Sequence, residues 1–233
     1  MDAIRSNLPY MLKGLELSLE YSVAALLLAV VLGGSFGTLF YSLPRRVVRW
    51  PILAWVGLFR NTPLIVQLYI WYFGVPYAGI KLSAGTAAIV GLGFYGSSYV
   101  TEIVRSGLSS VGDEQEEAAL AIGLTRRDAV RRVIWPQALP VLIPPMTNEA
   151  VALFKNSSLL GFITVSELTL RTQEAISTTF ASLPLYLTAG GMYLVINVAF
   201  SVAMRRLEHR TALHRNASAR EARRTARSLT TSA

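Results

Sequence analysis

The run from Leu15 to Ser42 limits what this chain can become more than any other segment. It is predominantly apolar, with Gly33, Gly34 and Gly37 towards its end. A helix that crosses a bilayer needs roughly 20 such residues, so the segment can span with some tilt. It is too long for the core of a signal peptide and shows no cleavage site, so it is expected to stay attached. Composition agrees. Hydrophobic residues make up 52% of the 233 and charged residues 15%, against about 25% charged in a soluble domain.

Four further spans are expected, giving an all-α polytopic membrane protein of about five transmembrane helices with a cytoplasmic two-helix coupling loop. The second runs from Pro63 to Phe73, after a stretch from Pro51 to Phe59 that lies partly in the interface, with Trp50 and Trp55 as anchors. The third covers Ala84 to Val104. The fourth, Ala138 to Leu153, is expected to be broken by Pro140, Pro144 and Pro145, and the fifth covers Leu185 to Met204. A loop with amphipathic character, 164–182, separates the last two.

Charge orients this layout. Arg45, Arg46, Arg49, the arginines between the third and fourth spans, and a basic tail fall on one side. The other side holds only Lys81 and Arg171, with Arg5 and Lys13 ahead of the first span. Cytoplasmic loops carry the excess of Lys and Arg, so the N-terminus is expected outside and the C-terminus in the cytoplasm. From Arg205 onward eight arginines face two glutamates, a surplus of six out of the chain's net +8. Residues 1–206 are read as the membrane domain. Residues 207–233 are read as a disordered cytoplasmic tail rather than a nucleic-acid arm, since they lack interleaved aromatics.

One polar interruption breaks the apolar pattern, QEEAALAIGLTRRDAVRRVIWP from Gln115 to Pro136. Asp113 and Glu114 suit a helix start, and Gly123 suits a helix end in the left-handed region. Thr125 and Asp128 form the start signal of a second short helix, and Pro136 ends it or opens the next segment. Such a knuckle, over about 113–136, suggests a dock for a soluble partner.

No enzyme constellation is present. The chain has no cysteine, and both histidines, His209 and His214, lie in the tail. No metal site is expected. GGSFGTL lacks the lysine of a phosphate-binding loop, and its glycines read as close-packing positions between helices.

The knuckle resembles the EAA loop of bacterial ABC importer permeases. Glu117, Ala118, Ala119, Gly123 and Pro136 keep that pattern's spacing, with Val133 for Ile and Trp135 for Leu. Phe59 to Pro76 resembles the Arg-x-Thr-Pro-Leu-x-x-Gln segment of the polar amino-acid branch, the histidine, glutamine and glutamate type. Arg60, Thr62, Pro63, Leu64 and Gln67 match it, and Asn61 leans towards glutamate-like members. Leu153 to Leu160 resembles that branch's Lys-Asp-Thr-Ser-Leu segment, with Asn156 and Ser157 replacing Asp and Thr. The resemblance implies a non-enzymatic transport subunit in a bacterial inner membrane. It further implies ATPase subunits that hold ATP and Mg, an external solute-binding protein, and a second permease, identical or related. Docking would fall to Glu117, Ala118, Ala119, Gly123, Arg126 and Arg127. The solute path would be lined by Tyr99, Glu102, Asn148, Lys155, Ser158 and Arg60.

Read without the family, Tyr95, Ser98, Tyr99, Glu102 and Arg105 share one face of the third span. Polar groups in a span face the bundle interior or a wet cavity. Glu102 and Arg105 either line the path or simply hold each other at i,i+3. Lys155 either lines the path or snorkels to the interface. The competing function is an ATP-independent secondary transporter or channel subunit, which would favour an internal repeat that this chain lacks.

Overall fold

The computed structural model describes residues 2–43 and 45–231, with side chains described as far as Arg206. Among these the architecture is helical throughout. The helices are α1 (Asp2–Ser42), α2 (Arg46–Asn61), α3 (Leu64–Tyr69), α4 (Ala84–Ser109), α5 (Asp113–Ala121), α6 (Arg126–Ala129), α7 (Trp135–Asn156), α8 (Leu168–Thr179) and α9 (Ser182–Thr231). The basic tail over 207–233 has its side chains outside the described residues.

Three helices are long and apolar enough to cross a membrane, namely α1, α4 and the Ser182–Arg206 part of α9. Leu64–Ala78, which continues α3 through a π turn and a 3-10 turn, is a shorter apolar helix.

Two expectations about the bounds and continuity of the spans are corrected. The first helix begins at Asp2 rather than Leu15 and is 41 residues long, about 60 Å at 1.5 Å per residue. Its extra turns are held by non-local packing. Met11 is fully buried with Leu168, Ala175 and Leu185, Arg171 stacks 4.5 Å over the Tyr10 ring, and the Tyr10 hydroxyl donates to Glu174. The fourth segment is one continuous helix through Pro140, Pro144 and Pro145. An interior proline removes a hydrogen bond and costs about 3 kcal/mol. Here α7 is held by packing on α4, where Leu142 lies against Gly107 and Leu153 against Gly96.

The centre of the bundle is the pairing of α1 with α4. A Cβ on Gly33 would come within 2.5 Å of the Ser97 carbonyl oxygen, and one on Gly37 within 2.8 Å of that of Thr101. Small residues at i and i+4 let two backbones approach this closely. Trp55, expected at the interface, instead packs inward. Its ring lies 4.4 Å from Phe59 and 4.9 Å from Phe94, and its indole N–H donates to Ser97 Oγ at 3.0 Å. Gly33→Val should therefore prevent a stable α1–α4 contact. Overpacking a close contact costs about 1–3 kcal/mol or more, to be seen as a loss of monodispersity and a lower Tm in detergent. An unchanged Tm would contradict this packing.

At the opposite end from the knuckle, Glu167 ties three helices together. It is fully buried and caps α8 by accepting from the backbone N–H groups of Thr169 (2.8 Å) and Leu170 (2.9 Å). It also accepts from the Tyr193 hydroxyl of α9 at 2.9 Å and from Ser18 of α1 at 3.4 Å. Buried charge is tolerated when it is this fully hydrogen-bonded.

Candidate functional site: a coupling knuckle and a polar cluster in the bundle

The knuckle is built by local capping. Gly112, at φ +89°, turns the chain out of α4, and Asp113, Glu114 and Glu116 occupy the first turn of α5, where the helix dipole favours negative charge. Gly123, at φ +88°, ends it. The Gly123 N–H donates to the Leu120 carbonyl (2.9 Å) and the Leu124 N–H to that of Ala119 (3.1 Å), the paired bonds of a Schellman motif. Thr125 Oγ1 then accepts from the Asp128 N–H at 3.2 Å and starts α6. That helix runs through a π turn, Val130–Ile134, into α7, so Pro136 opens the next segment in its first turn.

Two sets of contacts fix the knuckle to the bundle. Ala119, Ala129, Val130 and Ile134 are buried beneath it. Glu116 pairs with Arg126 at 3.0 Å and accepts from the Tyr41 hydroxyl of α1 at 3.1 Å. What remains exposed is Glu117, Ala118, Gly123, Arg126 and Arg127, with Leu120 and Ile122 beside them. Ile122 is 79% exposed. Of the six residues expected at a dock, only Ala119 is covered, and it supplies the carbonyl that closes the turn.

Inside the bundle, the Arg-x-Thr-Pro-Leu-x-x-Gln segment is a broken helix. Pro63 cannot donate and disfavours helical geometry at Thr62, which is extended at φ −112°, ψ 140°. Gln67 bridges the break. Its side-chain amide donates to the Phe59 carbonyl (2.9 Å), the Thr62 carbonyl (3.0 Å) and Thr62 Oγ1 (2.8 Å). Within a membrane such freed carbonyls need a partner. The break holds Arg60 in the last turn of α2.

Arg60 lies 4.9 Å over the Tyr99 ring, and the Tyr99 and Tyr95 hydroxyls are 3.0 Å apart. Tyr95 lies within the fields of both Arg60 and Glu149. Glu149, on α7, is 8% exposed, and its Oε1 has no hydrogen-bond partner. A buried carboxylate left partly unpartnered is costly. The structure thus joins Tyr99 and Arg60, and adds Tyr95 and Glu149.

The other path candidates sit elsewhere. Glu102 is held by Arg105 at 2.7 Å. Asn148 and Lys155 are exposed on α7. Ser158 donates to the Lys155 carbonyl at 2.8 Å, closing a helical turn. Glu149 is legible in sequence as an acid in an apolar span, on the helix face beside that of Asn148 and Lys155, and a carboxylate there marks a functional position.

These features have counterparts among known proteins. Residues 25–213 match the family described as the inner membrane component of binding-protein-dependent transport systems. The probable amino-acid ABC transporter permease protein YckA of Bacillus subtilis is 39% identical over 70% of this chain and 71% of its own length. The glutamine transport system permease protein GlnP of Escherichia coli K12 is 33% identical over 89% of this chain and 95% of its own. Among solved structures, an amino acid ABC transporter crystallised with histidines superposes with a TM-score of 0.82 at 28% identity, over 89% of this chain and 96% of that one. The MetNI methionine transporter shares the fold, at TM-score 0.71 and 22% identity over 85% of this chain and 94% of that one. The resemblance read from the knuckle and the Arg60 segment is borne out, and the chain belongs to the family of inner-membrane permease components of binding-protein-dependent transport systems.

Proposed function

We propose that this chain is the permease subunit of an ATP-driven importer for a polar amino acid. The observation that carries this reading is the cluster of Arg60, Tyr99 and Tyr95 with the buried Glu149. An amino acid presents a carboxylate and an ammonium together, and the cluster offers a guanidinium and an unpartnered carboxylate. The names of the relatives, permeases for glutamine and amino acids, support the solute class. Asn61 favours including glutamate among the first solutes assayed. Asn148 and Lys155 extend the path along α7 and Ser158 just past its end, while Glu102 braces α4 through Arg105.

In this reading two permease subunits, identical or related, enclose the path between them, and five spans per chain cross the membrane. A solute-binding protein delivers the amino acid from outside. ATPase subunits, which hold ATP and Mg, dock on the exposed rim of the knuckle at Glu117, Ala118, Gly123, Arg126 and Arg127. Movement of the docked knuckle reaches α7 through the uninterrupted helical run from Arg126, so the two ends of the site shift together.

Reconstitution with the ATPase and binding protein should give accumulation of labelled glutamine or glutamate only when ATP is enclosed with the ATPase. Accumulation without ATP would contradict the reading. The orientation has its own test, eased by the lack of cysteine. In Tyr77→Cys, a position 94% exposed, a membrane-impermeant thiol reagent should react from outside. In Glu114→Cys it should react only after permeabilisation. The reverse pattern would invert the topology.

A further inference from the structure

An apolar groove runs along the outside of the bundle between α1, α4, α7 and α9. Its membrane-depth part, about 420 Å³, is walled by residues such as Leu26, Val30, Gly34, Leu139, Ile143 and Phe200. Past Gly34, Thr38 and Trp135 it opens into a second cleft between the end of α1 and the start of α6. Trp135 borders both parts and the passage between them. In the second cleft Thr38, Ser42, Arg126, Arg127 and Arg131 join the apolar lining.

The charge at this mouth is not balanced. Arg126 is paired with Glu116 at 3.0 Å and the neighbouring Arg132 with Asp128 at 3.4 Å. Among the described residues, no carboxylate lies within 4.0 Å of Arg127 or Arg131. The glycines of α1 divide in the same sense. Gly33 and Gly37 are pressed against α4, whereas a Cβ on Gly34 would meet nothing within 4 Å. Gly34 faces the groove and keeps it deep.

We propose that this groove holds one anionic phospholipid, with an acyl chain along Gly34 and the headgroup phosphate between Arg127 and Arg131. Guanidinium groups match phosphate oxygens in a bidentate fork, and the Ser42 hydroxyl adds a donor at the same mouth. Basic pockets between spanning helices on the cytoplasmic side suit anionic headgroups. A soluble ATPase reaches the arginines but not a trough at membrane depth. A second permease copy, enclosing a path for a polar solute, is expected on the face bearing Arg60 and Glu149. Only an amphiphile of lipid length matches the apolar trough and the basic mouth together. Arg127 belongs to the exposed rim of the knuckle and also lines the seam between the knuckle and α1.

The test is native mass spectrometry of the intact permease–ATPase complex in detergent, titrated with phosphatidylglycerol or with phosphatidylcholine of the same chains. Retention of phosphatidylglycerol per permease subunit should exceed that of phosphatidylcholine at least tenfold. The double variant Arg127→Gln, Arg131→Gln should remove the preference. Gly34→Phe, which fills the trough at a position with open space, should lower retention of both lipids while the complex stays assembled. Equal retention of the two lipids by the parent protein would overturn the proposal, as would an undiminished preference in the double variant. If Gly34→Phe separates the permease subunits or releases the ATPase, the groove is a protein interface and holds no lipid site.

Discussion

Glu149→Gln should lower the apparent affinity for the transported amino acid tenfold or more, while membrane insertion and ATPase association stay at parental levels. The carboxylate lies 8% exposed in α7 with Oε1 unpartnered, and Arg60 is the cation whose field acts on it. A single chain that keeps such a group buried has a use for it when a further donor arrives. The ammonium of the solute is that donor in the proposed path. A hydrogen bond to a charged group is worth about 1.5–3 kcal/mol, and about 1.4 kcal/mol is a factor of ten in affinity. Glutamine keeps the size and one acceptor, so the fold is preserved. Arg60→Gln should act in the same direction through the carboxylate of the solute. If uptake kinetics match the parent in both variants, the cluster lies off the path.

Gly123→Val should abolish coupled uptake, whereas Gly123→Asn should retain most of it. At φ +88° the position lies in the left-handed region, which costs an ordinary residue about 1–2 kcal/mol and is a true outlier for a β-branched one. Asparagine tolerates it. A Cβ at this site would meet nothing within 4 Å, so the pair of variants isolates backbone geometry from packing. With the turn distorted, Leu120 and Ile122 lose their presentation at the rim, and ATP hydrolysis should no longer respond to the loaded binding protein. Equal uptake by the valine and asparagine variants would show that the turn does not transmit the stroke.

What could be read from sequence was what local chemistry decides. The caps of the knuckle act within four residues, so Gly123 and Thr125 announced their turns, and the small residues of GGSFGTL announced a close helix crossing. What could not be read depended on distant partners. The start of α1 at Asp2 rests on α8 and on Arg171 over Tyr10, which hydropathy along α1 does not reveal. The packing that accompanies continuity through Pro140, Pro144 and Pro145 sets Leu142 against Gly107 and Leu153 against Gly96 of α4, contacts between distant parts of the chain. The match of Gln67 to a motif gave no reason for a glutamine there. The reason is the broken helix at Pro63, whose carbonyls it satisfies. Glu149 and Asn148 are adjacent in sequence, and only the rotation of α7 against its neighbours decides that the first is buried and the second exposed.

The central claim is that this subunit moves a polar amino acid only when an ATPase drives its knuckle. The most direct measurement is uptake of labelled glutamine and glutamate into proteoliposomes that contain the permease, its ATPase and its binding protein, with ATP or a non-hydrolysable analogue enclosed with the ATPase. Accumulation against the gradient with ATP, and none with the analogue or under an imposed ion gradient alone, is the predicted result. Equal uptake under all three conditions, or uptake that follows the ion gradient, would contradict it.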